Sequence, residues 1–153
     1  MIREMALRDR EHYFKFTDDF HHSDAVLAPI DTACYERTFE NAVGDSPYVK
    51  GFVFEKDGKI VGHSIIAFSF STEVGGECLW IEEIYILPEF RGMGMGQEFF
   101  SYLINAYKNR VRRFRLEVEE ENEGAVRLYK KLGFKWLDYK QMVLDGGRNG
   151  FVL

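Results

Sequence analysis

Between Leu79 and Gly96 the chain reads LWIEEIYILPEFRGMGMG, and this stretch holds the residue types best suited to chemistry. Arg91 is followed by three glycines at alternate positions, Gly92, Gly94 and Gly96. Glycine reaches backbone conformations closed to other residues, so such a loop can turn tightly and leave its amides bare. A helix starting there adds unpaired N–H groups and a positive dipole end, and together these form a cradle for phosphate. Just upstream, Glu82 and Glu83 interrupt an apolar run, and a carboxylate in such a place can act as a general base. His63, on an earlier apolar stretch, reads as a hydrogen-bonded polar residue ahead of a second base.

Three phosphate-binding patterns compete for the glycines. A P-loop needs Gly-Lys followed by Ser or Thr, and no lysine here precedes either residue. The dinucleotide fingerprint GxGxxG fails as well: counted from Gly92 its third glycine is Gln97, and counted from Gly94 it is Phe99. What remains is Arg-x-x-Gly-x-Gly, formed by Arg91, Gly94 and Gly96.

The elements around the loop follow from periodicity. Residues 2–5 suit a short opening strand, Leu7 to Phe20 a helix, and Asp31 or Thr32 the cap of a second helix ending at Gly44. His21 and His22 have no third ligand at metal-site spacing and read as solvated or capping residues. Gly51–Glu55 and Lys59–Phe70 read as strands joined by Lys56-Asp57-Gly58, a strong hairpin signal. A turn around Gly75-Gly76 then leads into the strand ending at Ile84 to Ile86, where Pro88 stops pairing. Met95, Phe99, Leu103 and Ala106 recur at helical spacing over Gly94 to Asn109, and Arg112 to Glu119 alternates as a half-covered strand. Strand, helix and strand in this order predict a parallel crossover with the cradle at a strand's carboxyl end. Asn122 caps a last helix that carries Ala125, Leu128, Tyr129 and Leu132 on one face and stops at Gly133. FKWLDYKQMVLD has strand composition and is expected to close the sheet as a hairpin or bent strand, with a tail from Gly146.

At 153 residues the chain is expected to be one domain, 1–153, with one site. A net charge of -5 argues against general nucleic-acid binding and sits better with a cationic small molecule. No apolar run reaches membrane-spanning length, and the opening MIREMALRDREH is too charged for a signal peptide, so the expected compartment is cytoplasmic. Cys34 and Cys78 lack disulfide or zinc spacing and are expected as reduced thiols; no metal is expected.

LPEFRGMGMG, followed about thirty residues later by NEGAVRLYKKLGF, resembles the GNAT superfamily of acetyl-CoA-dependent N-acetyltransferases. The matching positions are Arg91, Gly94 and Gly96 in the pyrophosphate loop, Asn122 and Tyr129 in the later helix, and Gly133-Phe134 after it, over roughly Ile81 to Phe134. The resemblance implies an α/β (α+β) fold: a mixed, mostly antiparallel twisted sheet with a central parallel pair splayed in a V and helices on both faces. It implies acetyl-CoA as cosubstrate, its pantetheine arm pairing beside Ile84, Tyr85 and Ile86 and its pyrophosphate held by the amides of Arg91, Gly92, Met93, Gly94, Met95, Gly96 and Gln97, with Asn122 nearby. A backbone N–H near Ile84 is the candidate to polarise the thioester carbonyl.

The same resemblance makes Tyr129 the candidate acid for the departing thiolate, with core packing as its plain alternative. By its distance from Arg91, Glu82 resembles the glutamate base of polyamine acetyltransferases. Strand alternation sends Glu82 and Glu83 to opposite faces, so one at most enters the cleft unless a bulge intervenes; Glu82 is preferred, with Glu83 and a solvated or salt-bridged role still open. The acceptor is expected to be a small-molecule amine, with Asp18, Asp19, Asp24 and Glu73 suiting a polyamine and a protein N-terminus, an amino acid or an aminoglycoside as other choices. A coenzyme A-binding module without catalysis is the alternative from another class, and a nucleotide-binding domain the third. The family admits a homodimer; nothing in the sequence establishes one.

Overall fold

The computed structural model describes residues 1–23 and 30–146; Asp24 and the tail from residue 147 lie outside the described residues. In chain order the elements are β1 (Ile2–Glu4), a 3-10 turn (Leu7–Asp9), α1 (Arg10–His21), α2 (Thr32–Val43), β2 (Val49–Lys56), β3 (Lys59–Ser71) and β4 (Gly76–Ile86). A second 3-10 turn (Pro88–Phe90), α3 (Met95–Tyr107), β5 (Arg113–Leu116) and α4 (Glu123–Lys131) follow. The strands lie side by side in the order β1-β2-β3-β4-β5. Neighbours are antiparallel up to β4, and β4 pairs with β5 in parallel. This is the mixed sheet implied by the sequence, with α3 bridging the parallel pair.

Local chemistry accounts for the main boundaries. Asp57 and Gly58 take φ of 51° and 75°, the double left-handed turn that matches the twist of a two-residue hairpin. The Asp31 side chain accepts from the amide of Ala33 at 2.9 Å and opens α2. Asn122 accepts from Ala125 at 3.3 Å and opens α4.

Side chains from alternate strand positions build a core on each face of the sheet. Phe52, Phe54, Leu79, Phe99, Phe100 and Leu103 pack between the sheet and α3 and α4. On the other face Tyr13, Tyr35, Phe39, Val53 and Ile65 pack with α1 and α2. Helices therefore cover both faces, and burial of these aromatic side chains is the main force holding the layers together.

The C-terminal expectation does not hold: residues 134–146 form no strand, and β5 spans four residues where eight alternate in sequence. A strand needs a partner ladder as well as composition, and here the chain is drawn elsewhere. Gly133, at φ 93°, turns it back so that the Phe134 amide bonds the Tyr129 carbonyl at 3.0 Å and the Phe134 ring packs on Phe100 and Tyr129. Met142, Val143 and Leu144 are exposed.

Phe99 is fully buried, with its ring centroid 4.9 Å from that of Phe54 and 5.8 Å from that of Phe52. Phe99→Ala is expected to lower the free energy of unfolding by about 3–5 kcal/mol, as read from chemical denaturation.

Candidate active site

The site starts from a break in the alternation of β4. Ile81 packs toward α3, and so do Ile84 and Ile86; three positions separate the first two where regular pleating allows only even steps. The register explains it. Ile66 faces Ile81 and Ile65 faces Glu83, so Glu82 is an extra residue without a partner on β3. This is a β-bulge, and it overrides the alternation expected for the two glutamates. Glu83 and Tyr85 turn toward α1, where Thr17 bonds the Glu83 carboxylate and Phe16 packs on the Tyr85 ring. Glu82 is exposed.

Just past Ile81, β5 stops. The last parallel pair is Ile81 with Leu116, while β4 runs on to Ile86, so the two strands part in a V. The Leu87 amide bonds the Val61 carbonyl at 2.9 Å; by the two-residue alternation of an antiparallel ladder, the N–H and C=O of Ile84 and Ile86 point away from β3 and into that gap. The Arg91 Nε donates to the Ile86 carbonyl at 2.8 Å, and its guanidinium lies 5.6 Å from the centre of the Tyr85 ring. The loop is thus tied to the end of the strand it follows, with the Arg91 Nη groups still available to an anion.

Gly92 and Gly94 have φ of 73° and 84°, and a Cβ on either would meet nothing within 4 Å. Glycine is needed there for the backbone angle alone. Gly94 is the N-cap of α3, so the amides of the first turn open onto the loop. Gly96 is small for another reason: a Cβ there would come within 2.9 Å of Leu128 on α4. Met95 is buried in the core, so only its backbone faces the cradle, and Met93 is exposed. Two lysines not singled out from sequence flank the loop. Lys56 Nζ lies 3.1 Å from the Met93 sulfur, and Lys131 donates to Gln97 at 3.2 Å. Their charge suits a polyphosphate, and only the fold brings the hairpin and the end of α4 to the same place.

Glu82 lines a cavity of about 250 Å³ with Trp80, Ile81, Glu117 and Gln141. Desolvation by the cleft walls and then the like charge of Glu117 raise its pKa above the ordinary carboxylate value. A larger cavity of about 600 Å³ lies between β5, α4 and the chain after Gly133; Glu117 and Gln141 border both. Tyr129 lines the larger one. It is at once a core residue, its ring against Phe100 and Phe134, and a cavity residue, and burial pushes its phenol up to about 12, so the hydroxyl keeps its proton at neutral pH. Asn122 spends its side-chain oxygen on the α4 cap.

Glu83 is placed differently from Glu82. Its Oε1 lies 2.5 Å from His63 Nε2 and accepts from the Thr17 hydroxyl at 2.9 Å. Burial alone would raise its pKa, but the charge and hydrogen bond of His63, the Thr17 hydrogen bond and His21 outweigh it, and the net direction is down. Thr17 was not marked by the sequence as a site residue; its one signal is a hydroxyl on a helix stripe otherwise made of Tyr13, Phe16 and Phe20. His21 is half-buried and stacked on the Tyr35 ring, and His22 Nδ1 lies 2.8 Å from the Asp18 carbonyl oxygen; among the described residues no group of three side chains is set to hold a metal. No described helix is long and apolar enough to cross a membrane.

A glycine loop at a helix start, beside a strand edge freed by a V, is the geometry for a ligand that is part polyphosphate and part extended amide chain. Residues 9–134 match the model of the acetyltransferase (GNAT) family, and the chain belongs to that family. It is an N-acetyltransferase that takes its acetyl group from acetyl-CoA. Its relatives include thialysine N-ε-acetyltransferases of Mus musculus, 28% identical over 92% of this chain and 82% of the relative, and of Sus scrofa, 30% identical over 87% and 74%. The fold also matches that of AAC(6')-Iy solved with a CoA-linked bisubstrate analogue: TM-score 0.74 and 17% identity, covering 95% of this chain and 97% of that one.

Gly94→Ala places a side chain at φ 84°, a conformation that costs an L-residue about 1–2 kcal/mol. Calorimetric titration with CoA is expected to show binding weakened about tenfold, the equivalent of one misplaced charge-assisted hydrogen bond.

Proposed function

We propose that the acceptor is a primary amine on a small cationic molecule of the polyamine or aminoalkyl amino acid type, with Glu82 as general base and Tyr129 as general acid. The observation that carries this reading is the state of Glu82. Among the described residues it has no cationic partner, whereas Asp9, Glu55, Glu73, Glu77 and Glu83 each have one. An uncompensated carboxylate in a partly desolvated cleft, with Glu117 opposite, favours an ammonium. The thialysine N-ε-acetyltransferases among its relatives are named for an ε-amine, which agrees with this acceptor class.

The chemistry divides among the chain's own groups. Bound acetyl-CoA supplies the activated acyl group; the open backbone of Ile84, the Ile86 amide and the amides of residues 91–97, with Arg91, would hold it, with Asn122 at the start of α4 as a further candidate contact. An arriving ammonium must lose a proton before its lone pair can attack, and Glu82 accepts it directly or through water. A raised pKa makes Glu82 a better acceptor than an ordinary surface carboxylate. The Tyr129 hydroxyl, still protonated, supplies the proton that the departing thiolate takes.

The acceptor class is tested by CoA-thiol release with acetyl-CoA against spermidine, thialysine, lysine, an aminoglycoside and a peptide with a free N-terminus. The highest kcat/KM is expected for spermidine or thialysine; a preference for the peptide rejects the reading. Glu82→Gln is expected to lower kcat by about 10²–10⁴. Because Glu82 works ionised, kcat/KM falls as pH drops through its raised pKa, and the Gln variant loses that acid limb. Loss of the limb in Glu83→Gln, with Glu82→Gln unchanged, would reverse the assignment. Tyr129→Phe is expected to lower kcat about a hundredfold while leaving the affinity for CoA intact.

A further inference from the structure

Beneath the bulge, on the α1 side of the sheet, lies a compact polar cluster in an otherwise aromatic interior. Thr17, His63, Ser64 and Glu83 are at most 8% exposed. The rings of Tyr13, Phe16 and Tyr85 surround His63, Phe16 stacked nearly parallel to it at an interplanar angle of 8°. Three groups converge on one residue. His63 Nε2 and the Thr17 hydroxyl meet the Glu83 carboxylate, and the Ser64 hydroxyl donates to the Glu83 backbone carbonyl at 2.6 Å. Among the described residues His63 Nδ1 is buried without a partner, and the ring's polar contacts run through Nε2, to Glu83 at 2.5 Å and to the Thr17 hydroxyl at 3.4 Å.

Apolar packing would satisfy this interior with no desolvation cost, so a charged and hydrogen-bonded cluster is evidence for a geometric task. The task follows from its position. An extra residue in a strand can be accommodated one place earlier or later, and each such shift reassigns the faces of the residues beside the bulge, here Glu82 and Glu83, while the strand beyond keeps its register. Glu83 is the first residue after the extra one, and both its side chain and its carbonyl are anchored to β3 and α1.

We propose that His63 is a positioning residue: by holding Glu83, it pins the bulge at Glu82 and so fixes where the Glu82 carboxylate and the Ile84 backbone meet the gap between β4 and β5. The catalytic part rests on the reading of Glu82 as base. The structural part stands apart from it.

The test compares His63→Leu, which removes the donor, with His63→Gln, whose amide nitrogen can reach the position of Nε2. With acetyl-CoA and spermidine, His63→Leu is expected to lose about ten- to a hundredfold in kcat, the cost of a misplacement of about 1 Å, with the KM for acetyl-CoA changed less than about threefold. His63→Gln is expected to restore most of the loss. In amide NMR spectra the resonances of Glu82, Glu83 and Ile84 are expected to move in the Leu variant and to return toward wild type in the Gln variant. An unchanged kcat in a folded Leu variant, unmoved amides, or a Gln variant as impaired as the Leu variant overturns the proposal. Should His63→Leu fail to fold, Thr17→Val, which removes one of the three anchors, is expected to move the same amides and lower kcat severalfold, and its failure to do either is equally decisive. If the wild-type enzyme acetylates none of the probe amines, the proposed acceptor is wrong, and the amide shifts still judge the clamp.

Discussion

A strand's backbone groups need partners, and β4 has them on the β3 side at every position but the bulged Glu82, while on the other side it has them only as far as Ile81. The site depends on that withheld pairing. Had β5 continued beside β4 for five more residues, the carbonyls and amides of Ile84 and Ile86 would be spent inside the sheet and the glycine loop would cap a closed edge. Because β5 ends at Leu116, the edge stays available to an extended amide chain, which can be bound with little regard to side chains. The loop then supplies the part of the recognition that pairing cannot, a concentration of N–H groups and positive charge.

Around this edge the electrostatics are divided by place. Arg91, Lys56 and Lys131 gather at the loop, where under the proposed function they would neutralise phosphate charge. Glu82 and Glu117 line the smaller cavity, where under the proposed function the cationic acceptor would be received. Glu83, one residue from Glu82, has its charge answered internally by His63 and Thr17. Adjacent residues of identical type thus have opposite surroundings because the bulge puts one in a cleft and the other under a helix.

Much of this was legible in the sequence where the determinants are local. Asp57-Gly58 set the hairpin, Asp31 and Asn122 opened their helices, and Arg91, Gly94 and Gly96 marked the loop, since each acts on its own backbone within a few residues. The bulge entered the sequence reading only as an exception to the Glu82–Glu83 alternation, because which residue is the extra one is a relation between β3 and β4. For the same reason Thr17 and His63 could not be joined to Glu83: they are 66 and 20 residues away from it along the chain. Residues 134–146 were misread because strand composition was taken without a partner, while Gly133 and Phe134 fold the chain back onto α4.

An open strand edge is also a surface on which another chain can add itself, the usual start of sheet-to-sheet aggregation. The residues that equip β4 for its work also guard it. The exposed charge of Glu82 sits at the start of the free segment, the Ile86 carbonyl at its far end is already taken by Arg91, and Pro88 removes the next donor but one. A copy of β4 approaching this edge would meet like charge at one end and a capped ladder at the other. Under the proposed function the same few side chains would therefore serve two ends, admitting a thin chain that ends in anionic groups and turning away a second strand.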